Sequence, residues 1–273
     1  MMLPVFLVPF IIGIRGLCPV LSNVCDTDSY NTTNAEPFGF HVAGEHNVTV
    51  IGDSIVVGEG DGEAQRGFVG RLRARFPSFQ INEISQPGIT SWEMFDLLAS
   101  RLSAPACDPA KEALVRSDTI VIAVGTNDIW SGNAPVSTVR QIRDIAELLR
   151  GYLRARGLFD FSISAATLIS ANSEHEKWLR QVNILLRANT IVGLKTDISF
   201  EPLRETSLSP DKVHPTSHGY EILADTVSYY FVTHLKPSAR AVSCRIPVIA
   251  ESLSSRLLFI SQKITAQNVA APH

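Results

Sequence analysis

The chain has 273 residues, 45% of them hydrophobic and 19% charged, which is enough to bury the core of one sizeable domain with extensions and excludes a chain disordered overall. A formal net charge of −3 excludes the electrostatic footprint of a nucleic-acid binder. No apolar run reaches the roughly 20 residues of a membrane-spanning helix.

Residues 3–14 form an apolar run broken by Pro4 and Pro9, too short for a bilayer span but matching the hydrophobic region of a signal peptide. No Lys or Arg precedes it, Arg15 follows it, and Val20 with Ser22 offers a cleavage point. Residues 1–22 are therefore expected to be a signal peptide or an apolar N-terminal segment. The protein is then secreted or extracytoplasmic, with a cytoplasmic location as the alternative. Residues 23–46 are polar, carry Pro and Gly, and read as a linker. Cys18, Cys25, Cys107 and Cys244 match no zinc spacing, and loss of Cys18 by cleavage leaves an odd number, so cysteine usage does not fix the compartment. Asn31-Thr32-Thr33 and Asn47-Val48-Thr49 fit the glycosylation pattern, the second against a predicted strand.

From Asn47 onward, strand and helix patterns alternate. Strands are expected near 47–52, 79–85, 118–124, 161–167 and 191–198, and helices near 65–76, 91–103, 137–156, 174–189 and 217–235. Such alternation predicts a three-layer α/β/α domain with a mainly parallel five-stranded sheet over 47–236. Thr119-Ile120-Val121-Ile122-Ala123-Val124 is apolar almost throughout, as a strand covered on both faces should be. Residues 237–273 are a C-terminal extension rich in Ser and Ala, in which Ile249, Leu253, Leu257 and Ile264 are spaced as an apolar helix face.

Four short stretches fall where a parallel sheet gathers its ligands, at the carboxyl ends of strands. Val48 to Ile51 ends in Gly52-Asp53-Ser54. The second strand is followed by Gln86-Pro87-Gly88-Ile89-Thr90, and the third by Gly125-Thr126-Asn127-Asp128. Asp211-Lys212-Val213-His214-Pro215 precedes the last helix. Taken singly, each reads as a turn or a cap. Taken together, they supply a chemistry. A serine hydroxyl needs a base, and imidazole suits that task. A carboxylate three residues before the histidine can hold the other ring nitrogen. The Ser54 and Gly88 backbone N–H groups and the Asn127 amide are donor types suited to a developing oxyanion.

These blocks resemble those of the SGNH hydrolases, also called GDSL esterases and lipases. The resemblance covers about Asn47 to Leu235, with Ile55 where the family often has Leu, and without the Asn or second Gly often found near the glycine of the second block. It implies a flavodoxin-like SGNH hydrolase fold, Ser54 as nucleophile, His214 as base, Asp211 as its orienter, and Ser54, Gly88 and Asn127 as the oxyanion hole. It further implies hydrolysis of carboxylic esters through an acyl-serine, with no cofactor and no metal. Acyl transfer on the same triad, or a catalytically silent SGNH-like binding module, are the alternatives.

Other motifs fail. Val56 replaces the second glycine of Gly-x-Ser-x-Gly, and Gly58, Gly60 and Gly62 are followed by no Gly-Lys-Ser/Thr. His214 and His218 are four apart, but Pro215 argues against one helix carrying both, so His218 reads as a surface residue. His175-Glu176 reads as a solvated helix turn. Trp92, Phe95, Ile129 and Trp130 follow the oxyanion blocks. Phe95 is assigned to the core, and Trp130, in a loop, is the better substrate contact, with Trp92 second. The short stretch from Trp130 to Pro135 predicts an open cleft without a large lid, suited to small or soluble esters. The substrate is thus a small-molecule, glycan or lipid ester, and nothing in the sequence selects the oligomeric state.

Overall fold

A computed structural model of the chain describes residues 46–62, 67–104, 108–170, 175–188 and 194–235. The N-terminal apolar run, nearly all of the linker, the Asn31 sequon, all four cysteines and the C-terminal apolar pattern lie outside these residues. The elements in chain order are β1 (His46–Gly52), α1 (Ser54–Val57), α2 (Gly67–Arg75), β2 (Phe79–Ser85), α3 (Ser91–Ser103), α4 (Pro109–Arg116), β3 (Thr119–Ala123), α5 (Thr126–Trp130), α6 (Pro135–Ala155), β4 (Ser162–Ala166), α7 (Glu176–Ala188), β5 (Leu194–Ile198) and α8 (Ser217–His234). Among the described residues no helix is long and apolar enough to cross a membrane.

The five strands form one parallel sheet in the order β2-β1-β3-β4-β5. β1 and β3 are adjacent, with Val50 opposite Val121 and Gly52 opposite Ala123. The chain leaves β1 towards one edge and returns through β3 towards the other. The gap beyond their carboxyl ends is therefore the switch point where open sheets bind ligands.

Strand periodicity divides the core between the two faces. Ile51, Ile120, Ile122 and Ile163 join one cluster with residues of α3, α4, α6 and α7. Val48, Val50, Val121 and Ala123 join the other with residues of α2 and α8. Successive side chains of a strand point to opposite faces, so an apolar run covered on both sides is the expected signature of a central strand.

Helix starts follow local chemistry. Thr90 caps α3 through a capping box, its hydroxyl accepting from the Glu93 N–H while the Glu93 carboxylate accepts from the Thr90 N–H. Asp108 caps α4 by accepting from the Lys111 N–H, with Pro109 in the first turn. Thr216 caps α8 by accepting from the Gly219 N–H at 3.2 Å. The short helices α1, α4 and α5 were not among the expected elements.

Candidate active site

Ser54 opens α1 directly beyond β1. Asp53 caps that helix, its Oδ1 accepting from the Ile55 N–H at 3.0 Å, and the Ser54 carbonyl accepts from the N–H groups of Gly58 and Glu59 at 3.0 Å each. Gly-Asp-Ser is therefore the N-terminus of a one-turn helix and not a free turn, and the serine backbone is held on both sides.

His214 comes from the far end of the chain. The segment before it folds back on itself: the Ser209 N–H donates to the His214 carbonyl at 2.7 Å, and Leu208 bridges to Pro215. Lys212 adopts φ +60° at the tip, which wraps the backbone around the Asp211 carboxylate. That carboxylate accepts from the Val213 N–H at 2.9 Å and the His214 N–H at 3.0 Å through Oδ1, while Oδ2 lies 2.7 Å from His214 Nδ1. Desolvation acts to raise the Asp211 pKa, but the imidazole and the two backbone donors outweigh it and hold the carboxyl below the usual range. An ionised Asp211 keeps the ring proton on Nδ1, which leaves Nε2 free to accept. Nε2 lies 2.8 Å from Ser54 Oγ, across 160 residues of sequence. His218 lies exposed in the first turn of α8, as expected for a surface residue.

Blocks two and three meet each other past the carboxyl ends of β2 and β3, the two strands that flank β1. Gly88 takes φ +73°, in the left-handed region where glycine is favoured, and a Cβ placed there would meet nothing within 4 Å. Asn127 is the second residue of α5, and its Nδ2 donates to the Ile89 carbonyl at 3.0 Å. An amide has two donor hydrogens, and this bond uses one of them to brace the Gly88 loop.

Sequence reasoning missed Asp128. Its buried carboxylate does not cap a following turn. It accepts from the Ser91 N–H at 2.7 Å and the Ser91 hydroxyl at 2.6 Å, tying α5 to the start of α3 and hence block three to block two. Burial pushes its pKa up, against the two Ser91 bonds. Glu59 was missed as well: its Oε2 lies 3.1 Å from His214 Nε2. Neither spacing nor residue type marked these two carboxylates, because each acts across the fold.

Asp53 is 1% exposed, and its Oδ2 has no hydrogen-bond partner among the described residues. Desolvation pushes its pKa up to about 7, with Asp128 adding to the shift while the Ile55 N–H and His214 oppose it.

The aromatic candidates separate. Trp92 and Trp130 are 46% and 37% exposed, so both can meet a ligand, whereas Ile129 is buried and Phe95 packs against the core. Trp130 is the last residue of α5 and not a loop residue. Its ring contacts His175 edge-on with centroids 4.2 Å apart, and His175 and Glu176 lie half-buried in the turn that starts α7. Residues 131–134 are exposed throughout.

The model of a family described as GDSL-like Lipase/Acylhydrolase matches residues 50–222. Among solved structures, the lipase Lip_vut3 from a goat rumen metagenome is 21% identical, covering 67% of this chain and 95% of its own, with a TM-score of 0.56. A lipolytic protein of the G-D-S-L family from Veillonella parvula is 19% identical, covering 68% and 98%, with a TM-score of 0.55. TesA is 19% identical, covering 67% and 97%, with a TM-score of 0.52. At these identities the likeness is one of fold. Among curated proteins, none matches the sequence significantly.

Proposed function

Since the chain belongs to the GDSL-like lipase/acylhydrolase family, we propose that it is a serine esterase that hydrolyses carboxylic esters through an acyl-serine intermediate. The observation that carries this reading is the continuous line from Asp211 Oδ2 to His214 Nδ1 at 2.7 Å and from His214 Nε2 to Ser54 Oγ at 2.8 Å.

In the proposed reaction, Ser54 Oγ attacks the ester carbonyl carbon while its proton passes to Nε2. The carbonyl oxygen becomes an oxyanion that accepts from the Ser54 and Gly88 N–H groups and from the free hydrogen on Asn127 Nδ2. Asp211, held ionised by three donors, stabilises the imidazolium. The intermediate collapses: the carbon–oxygen bond to the alcohol breaks, and the Nε2 proton goes to the leaving oxygen. Water, deprotonated by Nε2, then attacks the acyl-serine, and the second collapse releases the acid and restores Ser54. The proton transfers use side chains already within hydrogen-bond distance of one another, which is how preorganised groups lower a barrier. The exposed 131–134 stretch supports an open cleft and small or soluble esters.

The test pairs a fluorophosphonate probe with a panel of esters of graded acyl length. Labelling and hydrolysis in the wild type, both lost in Ser54→Ala, support the reading. An unlabelled, inactive wild type would instead make the protein a binding module. Adding acceptor alcohols during turnover separates hydrolysis from transfer.

A further inference from the structure

The proton that ends acylation leaves from His214 Nε2 and arrives on the ester's alcohol oxygen. That oxygen must therefore sit within hydrogen-bond reach of Nε2 when the bond breaks. Glu59 Oε2 occupies the same neighbourhood, 3.1 Å from Nε2. With the ring proton on Nδ1, facing Asp211, Nε2 and the Glu59 carboxylate are both acceptors. Glu59 thus gains nothing from the histidine until the proton has moved, and its own complement has to come from a donor or a positive charge.

Its position is set by the fold. The Glu59 N–H donates to the Ser54 carbonyl at 3.0 Å, and the Tyr220 hydroxyl donates to the Glu59 carbonyl at 2.6 Å. Gly60 follows at φ +84°, packed so closely that a Cβ there would lie 2.9 Å from the His214 Cβ and 3.0 Å from the Pro215 carbonyl oxygen. Asp61 is pinned by the Gly67 N–H at 2.8 Å, the Ser217 hydroxyl at 2.6 Å and the Arg71 guanidinium. The backbone is fixed on three sides, while the Glu59 side chain is 42% exposed and faces the cleft. Among the described residues, no cation is seen paired with it: Asp211 is also a carboxylate, and the Lys212 ammonium pairs with Glu205 at 2.9 Å.

We propose that Glu59 is a specificity residue for the alcohol half of the substrate, favouring alcohols that bring a positive charge or hydroxyl donors close to the ester oxygen and disfavouring anionic ones. This rests on the esterase reading and deepens it. The reacting atoms meet Ser54, His214 and the oxyanion donors, and Glu59 meets what hangs from the leaving oxygen.

Two esters of one acid isolate the effect: the choline ester and the 3,3-dimethylbutyl ester, alike in shape and different by one positive charge. The acid is the acyl length, from acetyl to octanoyl, that the wild type turns over fastest. For a half-exposed charge pair the wild type should prefer the choline ester by about two- to fivefold in kcat/KM, and added salt should shrink the preference. Glu59→Gln keeps the backbone bonds and the side-chain shape, and should bring the ratio to about one. Glu59→Lys should invert it. A structural role for Glu59 would lower both rates together and leave the ratio alone. A wild-type ratio of one, or a ratio that survives in Glu59→Gln, overturns the assignment while leaving the esterase standing. A wild type that neither reacts with the fluorophosphonate probe nor hydrolyses either ester overturns the esterase reading and the selectivity with it.

Discussion

Replacing Asn127 by alanine removes two interactions at once, and their sizes can be set apart. The first, in the proposed reaction, is the donor offered to the oxyanion. It matters only when charge sits on the carbonyl oxygen, so its loss belongs in kcat and not in KM, and such a donor is worth about 10²–10³ in kcat. The second is the bond from Nδ2 to the Ile89 carbonyl at 3.0 Å, which braces the loop that carries Gly88. Leaving a carbonyl without its donor costs about 1–3 kcal/mol where water cannot take its place. For a domain of this size each kcal/mol lowers the melting midpoint by about 2–4 °C. Asn127→Ala should therefore show kcat reduced about 10²–10³-fold, KM little changed, and a midpoint lower by a few degrees. Kinetics are run well below both midpoints, so that unfolding cannot imitate a catalytic loss. A midpoint lowered as expected, with kcat within about threefold of the wild type, would refute the oxyanion role and leave Asn127 as a brace alone. Asn127→Asp keeps the shape and swaps a donor for a negative charge, and should be at least as inactive.

Ser54→Ala should abolish turnover and probe labelling while circular dichroism and melting stay near the wild type; retained turnover would move the nucleophile elsewhere. His214→Ala should cost more activity than Asp211→Ala, which removes an orienting group, and His218→Ala should leave kcat/KM near the wild type; equal damage at 214 and 218 would name the wrong histidine. Asp53 gives a stability signature. Its folded pKa of about 7 lies above the unfolded value near 3.8, so between those limits the folded chain holds the extra proton and stability falls as pH rises. Asp53→Asn keeps an acceptor for the Ile55 N–H and should remove that loss, up to a few kcal/mol, in urea midpoints compared at pH 4 and pH 8; equal slopes in the two proteins would count against a neutral buried carboxyl.

The parts of this molecule written in local chemistry were legible in the sequence. The apolar 119–124 run could only be a strand covered on both faces, and β3 lies at the centre of the sheet. The Thr90-Ser91-Trp92-Glu93 capping box set the start of α3 at the residue expected. Asp211 and His214 are three apart, so their contact is nearly a local one. The Asp108-Pro109 signal for α4 was also present, but the helix is only 8 residues long, so its apolar spacing of Ala110, Ala113 and Leu114 spans less than two turns. α1 and α5 are shorter than any periodic pattern can reveal, and they form because the chain must turn sharply from a buried strand end. Glu59, Asp61, Arg71 and Asp128 were illegible for another reason. Each finds its partner across the fold, and a carboxylate looks the same in a sequence whether it meets water or a buried donor.

Those long-range contacts explain how a serine and a histidine 160 residues apart come to lie 2.8 Å apart. A hydrogen bond of that length is too weak to draw two chain ends together against loop-closure entropy, so other contacts must set the geometry first. Helices α2 and α8 pack side by side against the same face of the sheet and bring the two loops close. The buried Asp61 carboxylate then fixes them to each other, accepting from Ser217, three residues past His214, from Gly67 at the start of α2 and from Arg71 one turn further on. Arg71 is 3% exposed and reaches on to Glu221 of α8 at 2.9 Å. A buried ion pair contributes little net stability, because desolvation offsets most of the attraction, but an incomplete one costs about 3–5 kcal/mol. The register with every partner in place is therefore strongly preferred over any slipped one, and it is the register that presents Nε2 to Ser54 Oγ. Asp128 acts likewise on the other side of the cleft, where its two bonds to Ser91 fix the Gly88 loop against Asn127. Ser54 stands at the buried start of a one-turn helix and His214 on a partly exposed turn, and the precision of their spacing comes from the two buried carboxylates behind them.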